Sequence, residues 1–287
     1  MLIDTHAHLD YSEFQEDFDE VIARAEAAGV TRIITIGTDL KSSEVSIRMA
    51  EKHPQVYAVV GVHPTNLPEE NAPDITDALR TLAQHPRVVA IGETGMDFHR
   101  LPGSSEKYRS KQIAVTNALG ASSTSEIEAD IENDAYVSKQ ASVFQQHLDI
   151  AVELGKNVVI HQRDAWVETV DILKHYTGKL QGVFHCFGGT PEQADEIIRM
   201  GHLVSFTGIV TFKNAEIVRE TVKHIPEDKF MVETDCPYLA PVPYRGKRCE
   251  PAYTALVAEK IAEVRGVSKE EIARVTTHTA EMFFNMR

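Results

Sequence analysis

Residues 88–93 read Val-Val-Ala-Ile-Gly-Glu, a short apolar run that ends on a carboxylate. The pattern recurs at Asn157-Val-Val-Ile-His161, at Gln181-Gly-Val-Phe-His185 and at Phe230-Met-Val-Glu-Thr-Asp235. Such Val/Ile-rich runs suit strands buried on both faces. Working outward, residues 2–6, 32–37, 56–61, 88–92, 157–161, 181–185, 202–207 and 229–233 make eight strand candidates. Amphipathic stretches separate them. In the first, Phe14, Phe18, Val21, Ile22 and Ala25 fall at i, i+4, i+7, i+8 and i+11, and Gly29 supplies a helix stop. Similar stripes occupy 43–52, 75–84, 143–154, 165–175, 191–200, 216–224 and 253–264. This alternation fits a closed (β/α)8 barrel, but a doubly wound open sheet alternates too. The polar residues decide between them. His6, Glu93, His161, His185 and Asp235 all stand at or just past strand ends, which a barrel gathers into one ring. The expected fold is an α/β TIM barrel, with residues 1–287 as one domain.

The chain of 287 residues is 43% hydrophobic and 25% charged, enough to bury a sizeable core. No apolar run reaches the length of a membrane span, and the MLIDTHAHLD start lacks the basic-then-apolar form of a secretory signal. Cys186, Cys236 and Cys249 form no CxxC pair and read as thiols in a reducing, cytoplasmic setting. The net charge of −14 argues against a broad electrostatic footprint on duplex DNA. It leaves room for a phosphodiester held by metal ions and a local basic cluster. The stretch 100–139, Ser-rich and then acidic, breaks the strand–helix rhythm and reads as a surface insertion or partly ordered loop, with a lid or substrate arm as its functional form.

The chemistry starts at Asp4-Thr5-His6-Ala7-His8, where alternate side chains share a strand face. Same-face neighbours stand about 6.6 Å apart, so two imidazoles can converge on one metal. HxH alone is weak, but ionisable groups capping apolar runs each need a partner. His6, His8, Glu93, His161, His185 and Asp235 are too many ligands for one tetrahedral ion. A two-metal site explains them: Glu93 bridges, His6 and His8 hold one ion, His161 and His185 the other. Asp235 completes the set and accepts the proton of an attacking water. Imidazole-rich ligation suits Zn, Mn, Fe or Ni better than Mg. His63, in Gly61-Val-His-Pro64, reads either as a loop histidine or as a contact to the transition state at the barrel mouth. Asp97 reads as a group orienting a ligand or acting on substrate. The Pro-constrained run 241–248, with Arg245, Lys247 and Arg248, reads as an anion-binding loop that Arg163 can join.

Together DTHAHLD (4–10), GVHP (61–64), IGETGMDFH (91–99), VVIHQRDA (158–165), GVFHCFGG (182–189), ETDCPYLAP (233–241) and PYRGKRCEP (243–251) resemble the TatD family of metal-dependent deoxyribonucleases. The resemblance spans nearly the whole chain. It implies a cytoplasmic hydrolase of DNA, single-stranded or at its ends, working 3′ to 5′ with two divalent ions such as Mg, Mn or Zn. It also implies that His6, His8, Glu93, His161, His185 and Asp235 bind the metals, with His63 and Arg245 near the substrate. Two departures stand out: Cys249 where the family usually has Asn, and the longer stretch 100–139. The same metals can instead serve ester or amide hydrolysis, for example of an aminoacylated nucleic acid. A non-catalytic barrel would have shed ligands, and every expected ligand is present.

Overall fold

The computed structural model of the protein describes residues 1–67, 73–102 and 124–286, the side chains of 124–130 excepted. Eight strands, β1 (Leu2–Ala7), β2 (Val30–Ile36), β3 (Val56–Val60), β4 (Val88–Asp97), β5 (Val158–Arg163), β6 (Gly182–Phe184), β7 (Leu203–Phe206) and β8 (Phe230–Val232), pair in parallel in chain order. Closure is made just beyond β8. Ala7 bridges Cys236, the Asp235 N–H donates to the His6 carbonyl at 2.9 Å, and the His8 N–H donates to the Cys236 carbonyl at 2.9 Å. Buried Asp4 clasps the same seam by accepting from the Thr234 amide at 3.0 Å and the Thr234 hydroxyl at 2.6 Å. The fold is the expected barrel.

Helices α1 (Phe18–Ala27), α2 (Leu40–Lys52), α3 (Thr76–Ala83), α4 (Thr124–Leu154), α5 (Trp166–Lys174), α6 (Pro191–Arg199), α7 (Glu216–His224), α8 (Thr254–Arg265) and α9 (Lys269–Phe283) accompany the strands. The larger apolar layer fills the space between strands and helices. The smaller lies among the strands, where Ile3, Ile34, Val59, Ala90, Val159, Val183, Leu203 and Met231 meet Phe283, Phe284 and Met286 from α9 and its C-terminal end. That packing fills one end of the barrel and leaves the polar side chains to gather at the other. No helix among the described residues is long and apolar enough to cross a membrane.

Three expectations need correction. Residues 124–139 are not loop: α4 runs unbroken from Thr124, and only 103–123 of the expected insertion lie outside the described residues. Helix α9 was not anticipated, although Ser268 caps it by accepting from the Glu271 amide at 3.1 Å. Glu93 lies inside β4 rather than past its end, because pairing with β5 resumes at Thr94 after a register shift between Ile91 and Thr94. An irregularity of this kind re-aims a side chain.

Glycine makes that strand possible. Gly95 has φ +142°, and a Cβ there would stand 2.0 Å from the His161 carbonyl oxygen, so β4 and β5 can approach only without a side chain. Gly95→Ala should cost more than about 2 kcal/mol, the sum of backbone strain and forced strand separation. Urea unfolding measures this, and a midpoint equal to wild type would contradict the packing described.

Candidate metal centre

Glu93 is the centre of the cluster, with 2% of its surface exposed. Its Oε2 lies 3.4 Å from His6 Nε2 and 3.9 Å from His8 Nε2. Its Oε1 lies 2.6 Å from His185 Nε2, 2.8 Å from His161 Nδ1 and 3.5 Å from His63 Nε2. Each oxygen therefore faces a different set of imidazoles. Asp235 joins the first set, its Oδ1 being 3.3 Å from His8 Nε2 and 3.8 Å from His6 Nε2. All six expected ligands thus converge, and His63 joins them at closer range than a distant substrate contact would.

The electrostatics are those of a site built for cations. Burial works to raise the Glu93 carboxyl, but His185, His63, His6 and the His161 contact outweigh it and hold it well below the usual range. Burial likewise opposes ionisation of Asp235, and His8, His6 and His185 overcome it. Asp235 adopts φ 58°, a left-handed conformation that is strained for a side chain with a Cβ and common at functional sites. Two imidazole nitrogens, His6 Nε2 and His8 Nε2, approach to 3.3 Å, close enough for their lone pairs to face one cation. Among the described residues, the buried Nδ1 atoms of His6 and His185 have no hydrogen-bond partner. His6–His8–Glu93, His63–Glu93–His161 and His6–His185–Glu233 each bring donor atoms within 4.8 Å of one another. Clustered imidazoles and carboxylates at these spacings fit divalent cations.

The surroundings fix ring orientation. Asp97 Oδ2 lies 3.1 Å from His161 Nε2, turning the other ring nitrogen toward Glu93. The Thr65 amide donates to His63 Nδ1 at 3.1 Å, which leaves the proton of the neutral ring on Nε2 as a donor into the site. Burial lowers His63 to about 3, so the neutral form prevails.

Glu233 was not singled out from the sequence. It accepts from Ser205 Oγ at 2.5 Å and the Cys186 amide at 2.7 Å, and lies 3.6 Å from His185 Nδ1. The missed signal was its i, i+2 spacing from Asp235, the same spacing as His6 and His8.

Helix α4 holds the end of β4 and the loop after β3. Gln140 accepts from the Asp97 amide at 3.0 Å and donates to the Asp97 carbonyl at 2.9 Å and the Pro64 carbonyl at 3.3 Å. His147 Nε2 accepts from the Val62 amide at 2.9 Å while its Nδ1 donates to the Val143 carbonyl at 2.7 Å.

The basic run divides. Arg248 is committed to Asp17 at 2.7 Å and Glu250 at 2.8 Å, so it braces the fold rather than awaiting an anion. Arg245 lies over the Phe212 ring at 4.0 Å and makes no ion pair among the described residues. Arg163 is exposed at the end of β5. The three thiols are free; Cys236 and Cys249 are buried, and burial pushes Cys186 up to about 12.

A barrel that gathers imidazoles and carboxylates at one mouth has the architecture of a metal-dependent hydrolase. The chain belongs to the TatD related DNase family, whose sequence model matches residues 3–285. It is 38% identical over 287 residues to the metal-dependent hydrolase YabD of Bacillus subtilis, with all of both chains covered. It is 34% identical over 291 residues to the 3′-5′ ssDNA/RNA exonuclease TatD of Citrobacter rodentium, covering 99% of this chain and 98% of the relative. The crystal structure of YJJV, a TatD homologue from Escherichia coli, shares the fold with a TM-score of 0.82 at 24% identity, covering 100% of this chain and 98% of that one.

His147 generates a pH prediction. Burial, only partly offset by the bond to Val143, lowers it to about 4 from an ordinary 6.5. Between those values the unfolded chain takes up a proton that the folded one refuses, so stability falls as pH drops through this window and levels off near its lower end. His63 and His202 add in the same direction. His147→Gln should lower the acid slope of unfolding free energy by up to about 1.4 kcal/mol per pH unit, measured by urea titration from neutrality downward. An unaltered slope would contradict a neutral, hydrogen-bonded His147.

Proposed function

We propose that the chain hydrolyses phosphodiester bonds of single-stranded DNA, or of DNA ends, from the 3′ side. His6, His8, Glu93, His161, His185 and Asp235 hold two divalent ions, Mg, Mn or Zn. The observation that carries this reading is the division of Glu93, with Oε2 toward His6 and His8 and Oε1 toward His161 and His185. A carboxylate so placed could serve an ion on each side. Bound there, the ions would polarise the phosphodiester and lower the pKa of the attacking water.

The side chains divide the remaining work. Asp235, held ionised at the more open edge of the cluster, takes the proton from the attacking water. Asp97 keeps His161 in the tautomer that aims Nδ1 inward. His63 offers its Nε2–H to a substrate oxygen, and Arg245, stacked and unpaired among the described residues, takes a phosphate of the strand. The named activity of the Citrobacter rodentium relative supports the choice of a nucleic-acid strand over an acyl substrate.

Labelled single-stranded oligonucleotides incubated with Mg, Mn, Zn or Co should shorten from the 3′ end. Asp235→Asn should lower the rate by about a hundredfold or more, as loss of a general base does, with the fold retained by circular dichroism. An undiminished rate would remove Asp235 from the chemistry. Cleavage of aminoacyl or simple ester substrates in place of oligonucleotides would replace the phosphodiester reading with acyl hydrolysis.

A further inference from the structure

A ladder of rings leads outward from the metal-centre candidates. The Tyr11 ring stacks on His8 with centroids 5.0 Å apart and planes 22° from parallel. Tyr238 meets Tyr11 edge to face at 6.1 Å and 80°. Among the described residues the ladder ends at Tyr238, and 53% of that residue is exposed. The Tyr238 amide donates to the Asp235 carbonyl at 3.0 Å, and Pro237 precedes it, so a short, restrained turn keeps the ring beside Asp235.

The neighbouring aromatic residues are already engaged. Tyr244 stacks on Tyr253 at 4.6 Å and 3°, and Phe212 carries the Arg245 guanidinium. Tyr11 has one face on His8. Among the described residues, no ring stacks on the face of Tyr238. An exposed, positioned aromatic face at a catalytic mouth suits another planar group, and every nucleobase has one. The Arg245 guanidinium on the same loop, without an ion pair among the described residues, suits the strand's phosphates.

We propose that Tyr238 is a stacking platform for a nucleobase next to the scissile bond, buttressed by Tyr11. The inference rests on the phosphodiester reading above and adds to it the element that recognises the strand. Stacking is indifferent to base identity, so the enzyme should tolerate all four bases but discriminate against a missing one.

The test compares single-stranded oligonucleotides carrying an abasic sugar in turn at each of the last three 3′ positions with the intact strand. Wild-type protein should show kcat/KM about tenfold or more lower at one abasic position, the size expected for one base–aromatic stack. Tyr238→Ala should bring that ratio close to one, and Tyr238→Phe should restore it. Fluorescence anisotropy of labelled strands on Asp235→Asn protein, with and without Tyr238→Ala, should show the same loss of discrimination in binding. Cleavage with no abasic penalty in wild type, or with the same penalty in Tyr238→Ala, overturns the stacking proposal alone. Failure to cleave any strand overturns the phosphodiester reading, and the proposal with it.

Discussion

A carboxylate sealed from water must be surrounded by groups that favour its charge, and Glu93 is such a carboxylate. Five imidazoles supply that surrounding, and they come from β1, β5, the residue after β1, and the loops after β3 and β6. No pair of neighbouring elements could provide them. A closed ring of parallel strands brings such distant segments within 3.9 Å of one side chain. The position of Glu93 therefore depends on the barrel being closed, and the His6–Asp235 and His8–Cys236 backbone bonds that close it also set the two sides of the site.

The path from backbone to chemistry runs through β4. Its register shift turns Glu93 inward, and Gly95 lets the following residues lie against His161. Asp97 then reaches His161 from the end of the same strand, so one strand supplies both the shared carboxylate and the acceptor that orients one of its partners. From outside, Gln140 and His147 on α4 bind the backbones of Asp97 and Val62, which fixes the end of β4 and the loop that carries His63. The geometry is thus held by buried side chains of one helix that grip backbone groups next to the site.

Much of this was legible because the site residues interrupt apolar runs. His6, His161, His185 and Asp235 stand where a strand should meet polar solvent or a partner, and their common register pointed to a barrel mouth. Glu93 was legible as a ligand but misplaced relative to its strand, since a register shift leaves no mark in local hydrophobicity. Gln140 and His147 were invisible for a different reason. They belong to a helix, and their partners are backbone groups 43 and 85 residues away. Arg248 looked like its neighbour Arg245, and only its contact with Asp17, 231 residues distant, separates a brace from a free cation. Helix α9 was legible in principle from its Ser268-x-x-Glu271 start. The extended α4 was masked by an acidic, polar composition that reads as loop.

The proposed two-ion site requires Glu93 to serve both ions at once. Protein freed of metal, reloaded with excess Mn or Zn and desalted, should retain two equivalents per chain by elemental analysis. Glu93→Gln, matched in size but without the charge, should retain at most one. A wild-type chain that holds a single ion, or a Glu93→Gln chain that still holds two, would contradict the shared-carboxylate site.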